Sequence, residues 1–193
     1  MSITALQEHI RKKKTPLALG LGPEANRLPA PVVKRFTDLY GESVMARSEA
    51  LRYHGTQLMA QAAQRLPAVV LRADRYLLCG AMGLDVLSNL VHMARSQGLY
   101  AIVDARCADP AVWLGGEVNA DAVTISPYYG TAAAGEDKAL FALVRSRVQR
   151  RCRTSWLGIV ACFWRRESRW PAGGLGSWPR RITVWMCGSC GGG

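Results

Sequence analysis

The stretch LDVLSNLVHMARSQGLYAIV, residues 84–103, decides how this chain is read. Its first half repeats apolar residues at helical spacing: Leu84, Leu87, Val91 and Ala94 share one face, with Leu90 beside them. Ser96-Gln97-Gly98 then stops the helix, with Gly where a left-handed cap is needed. Tyr100-Ala101-Ile102-Val103 follows as a strand that is apolar at every position. A strand apolar on both faces belongs in a parallel sheet covered by helices.

The same alternation extends in both directions. Leu17-Ala18-Leu19-Gly20-Leu21 is an apolar run ending at Gly and Pro, a first strand. Pro31 to Arg65 reads as helix, with Pro31 near its start and Val33, Phe36, Leu39 and Tyr40 at helical spacing. Ala68-Val69-Val70-Leu71 is the second strand, Ala122-Val123-Thr124-Ile125 the fourth, and Leu140-Phe141-Ala142-Leu143-Val144 the fifth. The class is α/β. Either a (β/α) barrel or an open doubly wound sheet satisfies this pattern, and periodicity alone does not separate them.

With 193 residues, 49% apolar and 20% charged, the chain is long enough for one domain with a core. No window reaches the roughly 18–20 consecutive apolar residues of a membrane span. The basic cluster Arg11 to Lys14 is not followed by an apolar signal core, so a cytoplasmic protein with reduced thiols is expected. That cluster reads most simply as the solvated end of a first helix.

The net charge of +11 would ordinarily suggest nucleic acid. Its placement argues otherwise. Residues 1–145 hold 16 Lys and Arg against 13 Asp and Glu, whereas residues 146–193 hold nine Arg and one acid, Glu167. Five of the six Trp and four of the six Cys lie in the same tail, which has no sustained period. A Trp/Arg/Cys/Gly-rich stretch without Lys is what a GC-rich gene yields when read out of frame. The rival reading is an Arg/Trp appendage that clamps phosphates and stacks on bases. Cys187 and Cys190 have the spacing of half a zinc site, but no second half stands near them in the sequence, and Gly173-Gly174-Leu175-Gly176 lacks the strand and helix that a phosphate loop needs.

Asp104-Ala105-Arg106-Cys107-Ala108-Asp109, directly after the third strand, resembles the D-x-K-x-x-D signature of orotidine 5′-monophosphate decarboxylases, with Arg in place of Lys. Ala120 to Gly130, ADAVTISPYYG, is similar to the family's A-D-A-V-T-x-N-P-Y-L-G run. Gly20-Leu21-Gly22-Pro23 with Leu28-Pro29 resembles the opening G-x-D-P…L-P of its longer-chain bacterial branch, and Phe141 to Ser146 its F-x-L-V-R-T-S strand. The four matches keep their order and span about residues 15–146.

The resemblance implies a TIM-type (β/α) barrel with active residues at the carboxyl ends of its strands. Here the barrel is expected to be incomplete, with about five βα units in residues 1–146, followed by an irregular basic tail over residues 147–193. It implies decarboxylation of orotidine 5′-phosphate to UMP without any cofactor, in a homodimer whose neighbouring subunit supplies one acid. Carried over by position, the family's Lys-Asp-Lys-Asp array becomes Arg72, Asp104, Arg106 and Asp109. The substrate-binding positions become Gly22, Ser126, Pro127 and Ser146. Gly22 stands where the family has a ribose-contacting Asp, Pro110 replaces the usual Ile, and the connection from Asp109 to Ala120 is short. Arg keeps the charge of the array but is a poor proton donor, because guanidinium has a pKa above about 12. Impaired activity is therefore expected.

Plainer readings stand beside these. Asp104 and Asp109 could be a helix-capping acid and a surface charge, and Arg72 a strand-end surface residue. The functional alternatives are a non-catalytic nucleotide-binding or dimerising paralogue, and a basic protein that binds nucleic acid through its tail. Nucleic acid and membrane partners are not expected.

Overall fold

The computed structural model describes residues 1–22, 27–126 and 137–143, and the backbone of two short strands at 158–161 and 183–186. The chain opens with helix α1 (Ile3–Lys13), then β1 (Ala18–Leu21), α2 (Ala30–Tyr40), α3 (Val44–Ala62) and β2 (Ala68–Arg72). Next come α4 (Ala73–Leu77), α5 (Gly80–Ser96), β3 (Tyr100–Cys107), α6 (Ala111–Leu114), β4 (Ala122–Ile125) and β5 (Ala139–Ala142). Strands β6 (Gly158–Ala161) and β7 (Thr183–Met186) lie in the tail.

Strands β1 to β5 form one parallel sheet in sequential order. That order separates the two architectures left open by periodicity. A doubly wound sheet reverses its strand order and carries helices on both faces, whereas a barrel adds each strand on the same side. Here Leu51 and Met59 of α3, Leu87, Leu90 and Val91 of α5, and Leu114 of α6 all pack in one cluster with Leu21, Val69, Leu71, Val103 and Val123. Every helix that connects two strands of this sheet and packs in that cluster thus lies on one face, and with the unreversed strand order the described residues form the first five strands of a (β/α) barrel. The sequence predicts an irregular tail, yet β6 and β7 pair antiparallel in a separate two-stranded sheet. Among the described strands the barrel's parallel ladder ends at β5.

The other face explains why the strands are apolar throughout. Ala68, Tyr100, Ile102, Ala122, Ala139 and Phe141 alternate with the helix-facing set and pack against Leu6 of α1, with Ile3 and Ile10 alongside. Each large side chain buried in this way contributes about 1.5–3 kcal/mol. Helix α1 is tied down at its far end by Lys13, whose Nζ donates to the carbonyls of Ala63 (2.7 Å) and Gln64 (3.0 Å) beyond α3. Lys13 therefore neutralises a helix C-terminus rather than standing in solvent.

Three element readings need correction. The segment read as one helix from Pro31 to Arg65 is two helices, broken where Gly41 takes a φ of +67° and Ser43 caps α3 by accepting from the Ala46 N–H at 3.1 Å. Helix α5 starts at Gly80, and Leu84, assigned to its buried face, is 40% exposed. Gly83 occupies the buried position instead, because a Cβ there would stand 1.8 Å from the Tyr76 carbonyl oxygen. The fifth strand is Ala139–Ala142, with the Leu143 N–H bonding the Ile125 carbonyl; Val144 lies outside the described residues. No helix among the described residues is long and apolar enough to cross a membrane.

At the amino ends of the strands Asp121 is fully buried. Its carboxylate accepts from the Ala101 N–H (3.0 Å) and the Met1 amino group (2.7 Å), and faces Arg95 Nε at 3.5 Å. Beside it the Tyr100 hydroxyl donates to the Asp121 carbonyl at 3.4 Å. Lys138 donates to Asn119 Oδ1 and the Ala120 carbonyl, and desolvation, with Arg95 nearby, lowers its pKa.

Two predictions follow from this packing. Gly83→Ala should cost about 1–3 kcal/mol by forcing α5 off the α4 backbone, read as a lower urea midpoint with an unchanged slope. Burial raises the phenol pKa of Tyr76 and Tyr100 above the ordinary 10.0, and the Asp121 charge raises that of Tyr100 further. Above about pH 10 the unfolded chain therefore holds fewer protons than the folded one, so stability falls as pH rises. Thermal unfolding across that range should show the loss, and Tyr100→Phe should make it shallower; an unchanged slope would count against the Tyr100 assignment.

Candidate functional site

The polar residues of the inner sheet face gather at the carboxyl ends of the strands. Along β2 the inner positions run Ala68, Val70, Arg72; along β3, Tyr100, Ile102, Asp104; along β4, Ala122, Thr124. Apolar side chains fill the half of that face next to α1, and charged or hydroxylated ones take over beyond it. Arg72 and Asp104 are partners in the β2–β3 register, so their Cα atoms are neighbours across the ladder.

Strand β3 extends further than its apolar run, through Cys107, so the signature residues Asp104 and Arg106 project from the strand itself. Asp104 is 5% exposed. A buried carboxylate needs partners, and Asp104 has two. The Thr124 hydroxyl donates to its Oδ1 at 2.7 Å, and the Arg106 guanidinium lies side-on, Nε to Oδ1 at 3.4 Å and Nη2 to Oδ2 at 3.3 Å. Arg106 has a φ of +49°, a left-handed conformation that costs a non-glycine residue roughly 1–2 kcal/mol. Such strain gathers at functional sites.

The other array positions are arranged differently. The Arg72 Nη2 bonds Asp74 Oδ2 at 2.6 Å, turning away from Asp104, while its Nε is buried without a hydrogen-bond partner among the described residues. The Asp109 Oδ1 accepts from the Ala111 N–H at 2.9 Å, so in this structure it caps α6. That short helix is all that fills the β3–β4 connection, in keeping with the short spacing from Asp109 to Ala120. The Cys107 thiol is pushed up by burial and by the Asp109 charge, although a backbone hydrogen bond lowers it; such a thiol is a weak nucleophile. Ser126 is half-buried at the end of β4 and its N–H donates to the Cys107 carbonyl at 3.3 Å. Pro127, Ser146, Cys187 and Cys190 lie outside the described residues.

Gly22 is explained by Arg72. A Cβ at position 22 would meet Arg72 Cβ at 2.7 Å, Cδ at 2.8 Å and Cγ at 3.0 Å. The Arg72 stem thus fills the space that a side chain at 22 would need. Thr124, although part of the ADAVTISPYYG run, was given no role from the sequence, and neither was Asp74. The signal for Thr124 was a hydroxyl at the inner position of an otherwise apolar strand.

Gly22→Asp should therefore displace Arg72 and cost about 1–3 kcal/mol. In an Arg72→Ala background that cost should shrink without vanishing, since the Cβ contact remains. A double-mutant cycle in urea measures the coupling, and strict additivity would refute the steric link.

No family model matches the chain, and no curated protein does. Solved structures do. An orotidine monophosphate decarboxylase of Leishmania donovani is 23% identical with a TM-score of 0.55, covering 76% of this chain and 55% of its own. An orotidine 5′-monophosphate decarboxylase of Plasmodium berghei is 13% identical at a TM-score of 0.58, covering 76% and 62%. A UMP synthase of Leishmania donovani is 22% identical at 0.55, covering 77% and 31%. The chain thus shares their fold, and spans from about a third to under two thirds of the length of these structures.

Proposed function

We propose that the chain is an orotidine 5′-phosphate decarboxylase-like barrel of pyrimidine biosynthesis that binds orotidine 5′-phosphate or UMP at the carboxyl ends of its strands, with impaired decarboxylation. One observation carries this reading. A buried carboxylate, Asp104, stands at the end of β3 beside a basic residue two positions on, in a fold shared with orotidine monophosphate decarboxylases.

Loss of carbon dioxide from the pyrimidine leaves a carbanion that no cofactor delocalises. A site for that step needs a fixed carboxylate near the substrate's own carboxylate and a cation that delivers a proton to the carbon. Asp104 fits the first role. Arg106 holds positive charge at the second, but its guanidinium gives up a proton poorly and is occupied side-on with Asp104. Arg72 is occupied with Asp74. Asp109 belongs to the family's dimer as the acid donated across subunits, and a homodimer would complete the site here. Gly22, Ser126, Pro127 and Ser146 are the proposed substrate contacts. Residues 1–146 are proposed as the barrel portion and residues 147–193 as a separate tail.

The engagement of both Arg side chains with neighbouring carboxylates favours a second reading, a nucleotide-binding relative without turnover. The two readings differ in one assay. Decarboxylation followed by the absorbance of orotidine 5′-phosphate should be very slow in the unaltered chain. Arg72→Lys with Arg106→Lys should raise it, by up to the roughly 10²–10⁴-fold that a positioned proton donor contributes. Binding of UMP with no gain from the double variant supports the non-catalytic reading, and absence of both binding and turnover removes both.

A further inference from the structure

Strands β3 and β4 pair in register at Val103↔Val123 and resume at Cys107↔Ile125. Three residues, Asp104, Ala105 and Arg106, thus stand opposite Thr124 alone. This is an enlarged bulge, and a bulge interrupts the ladder and re-aims the side chains of its strand. On its other side β3 stays regular, with Arg72 paired to Asp104. The β2 ladder runs to Asp104, where β2 ends, and the interruption of the β4 ladder begins at that same residue of the candidate site.

Something must hold the bulge where the ladder is absent. The Thr124 side chain is 2% exposed and makes two bonds there. Its oxygen accepts from the Arg106 N–H at 3.0 Å, and its hydrogen goes to Asp104 Oδ1 at 2.7 Å. The directions are fixed by chemistry, since an amide only donates, a carboxylate only accepts, and a hydroxyl does both at once. One hydroxyl thus holds the left-handed backbone of Arg106 and orients the carboxylate of Asp104.

We propose that Thr124 is the positioning residue of the site: its hydroxyl latches the β3 bulge that presents Asp104 and Arg106 to the ligand. The role assigned to those two residues rests on the nucleotide-binding reading; the latch itself does not. Thr124→Ser keeps the hydroxyl, and Thr124→Val keeps the shape without it.

Backbone amide exchange of the full chain, followed by NMR, tests the latch separately from function. In Thr124→Val the Arg106 amide should exchange about tenfold faster, the effect of losing one buried hydrogen bond. The Ala101 amide, which bonds Asp121 at the other end of β3, should keep its rate. UMP affinity, measured by calorimetry, should fall about tenfold, and Thr124→Ser should restore both values to within about twofold. An Arg106 amide indifferent to Thr124→Val overturns the proposal. So does a loss of protection along the whole sheet that Thr124→Ser shares, since that is a purely structural role. If the unaltered chain takes up no UMP, the nucleotide reading falls, while Arg106 exchange still supports or overturns the latch.

Discussion

Strand β3 is hydrogen-bonded in parallel to β2 on one side and β4 on the other, with Tyr100, Ala101 and Val103 fully buried. Burial on both faces requires two covering layers, and the rest of the chain is arranged to supply them. Helices α3 and α5 cover one face, and α1 covers the amino-terminal half of the other. Among the described residues no such apolar cover extends over the inner face beyond α1. There the alternation that places Tyr100 and Ile102 against Leu6 places Asp104 where charge can meet a ligand. Core and site are consecutive positions of one pleat.

Two buried carboxylates mark the two ends of this sheet, and their surroundings differ in kind. Asp121 is held by a backbone amide of β3, by Arg95 from α5 and by the Met1 amino group, all of which join elements of the fold. Asp104 is held by Thr124 and by Arg106, whose own backbone is strained and whose side chain is partly exposed. The first arrangement welds strands together. The second keeps a charge fixed near solvent at an energetic cost, which is the arrangement expected of a site rather than of a core.

Much of the candidate site was legible. Asp104 and Arg106 were singled out by their resemblance to the D-x-K-x-x-D signature after an apolar run, and the structure brings them together. Asp109 comes from the same signature, which implies an acid of the site, while here its carboxylate accepts from the Ala111 N–H at the start of α6, a capping role. The choice between such roles depends on where the chain turns after Cys107, which spacing does not specify. Arg72 was placed correctly at the end of β2, but its bond to Asp74 follows from α4 beginning at Ala73. Gly22 looked like a missing acid, and its reason became visible only with the Arg72 stem lying against it.

By itself the sequence determined the local elements and their class. Apolar runs such as Ala68 to Leu71 and Tyr100 to Val103 can satisfy their burial only inside a covered sheet, and the 3.6-residue stripe from Leu87 to Ala94 can be only a helix upon it. Tertiary structure decided the strand order that makes the sheet an arc of a barrel. It also decided the break at Gly41, the replacement of Leu84 by Gly83 on the buried face, and the bulge opposite Thr124. The physical reason is the range of the interactions. Periodicity records what a residue owes to neighbours one or two turns away, whereas register, close approach and ion pairing are set by residues that meet only when distant parts of the chain pack.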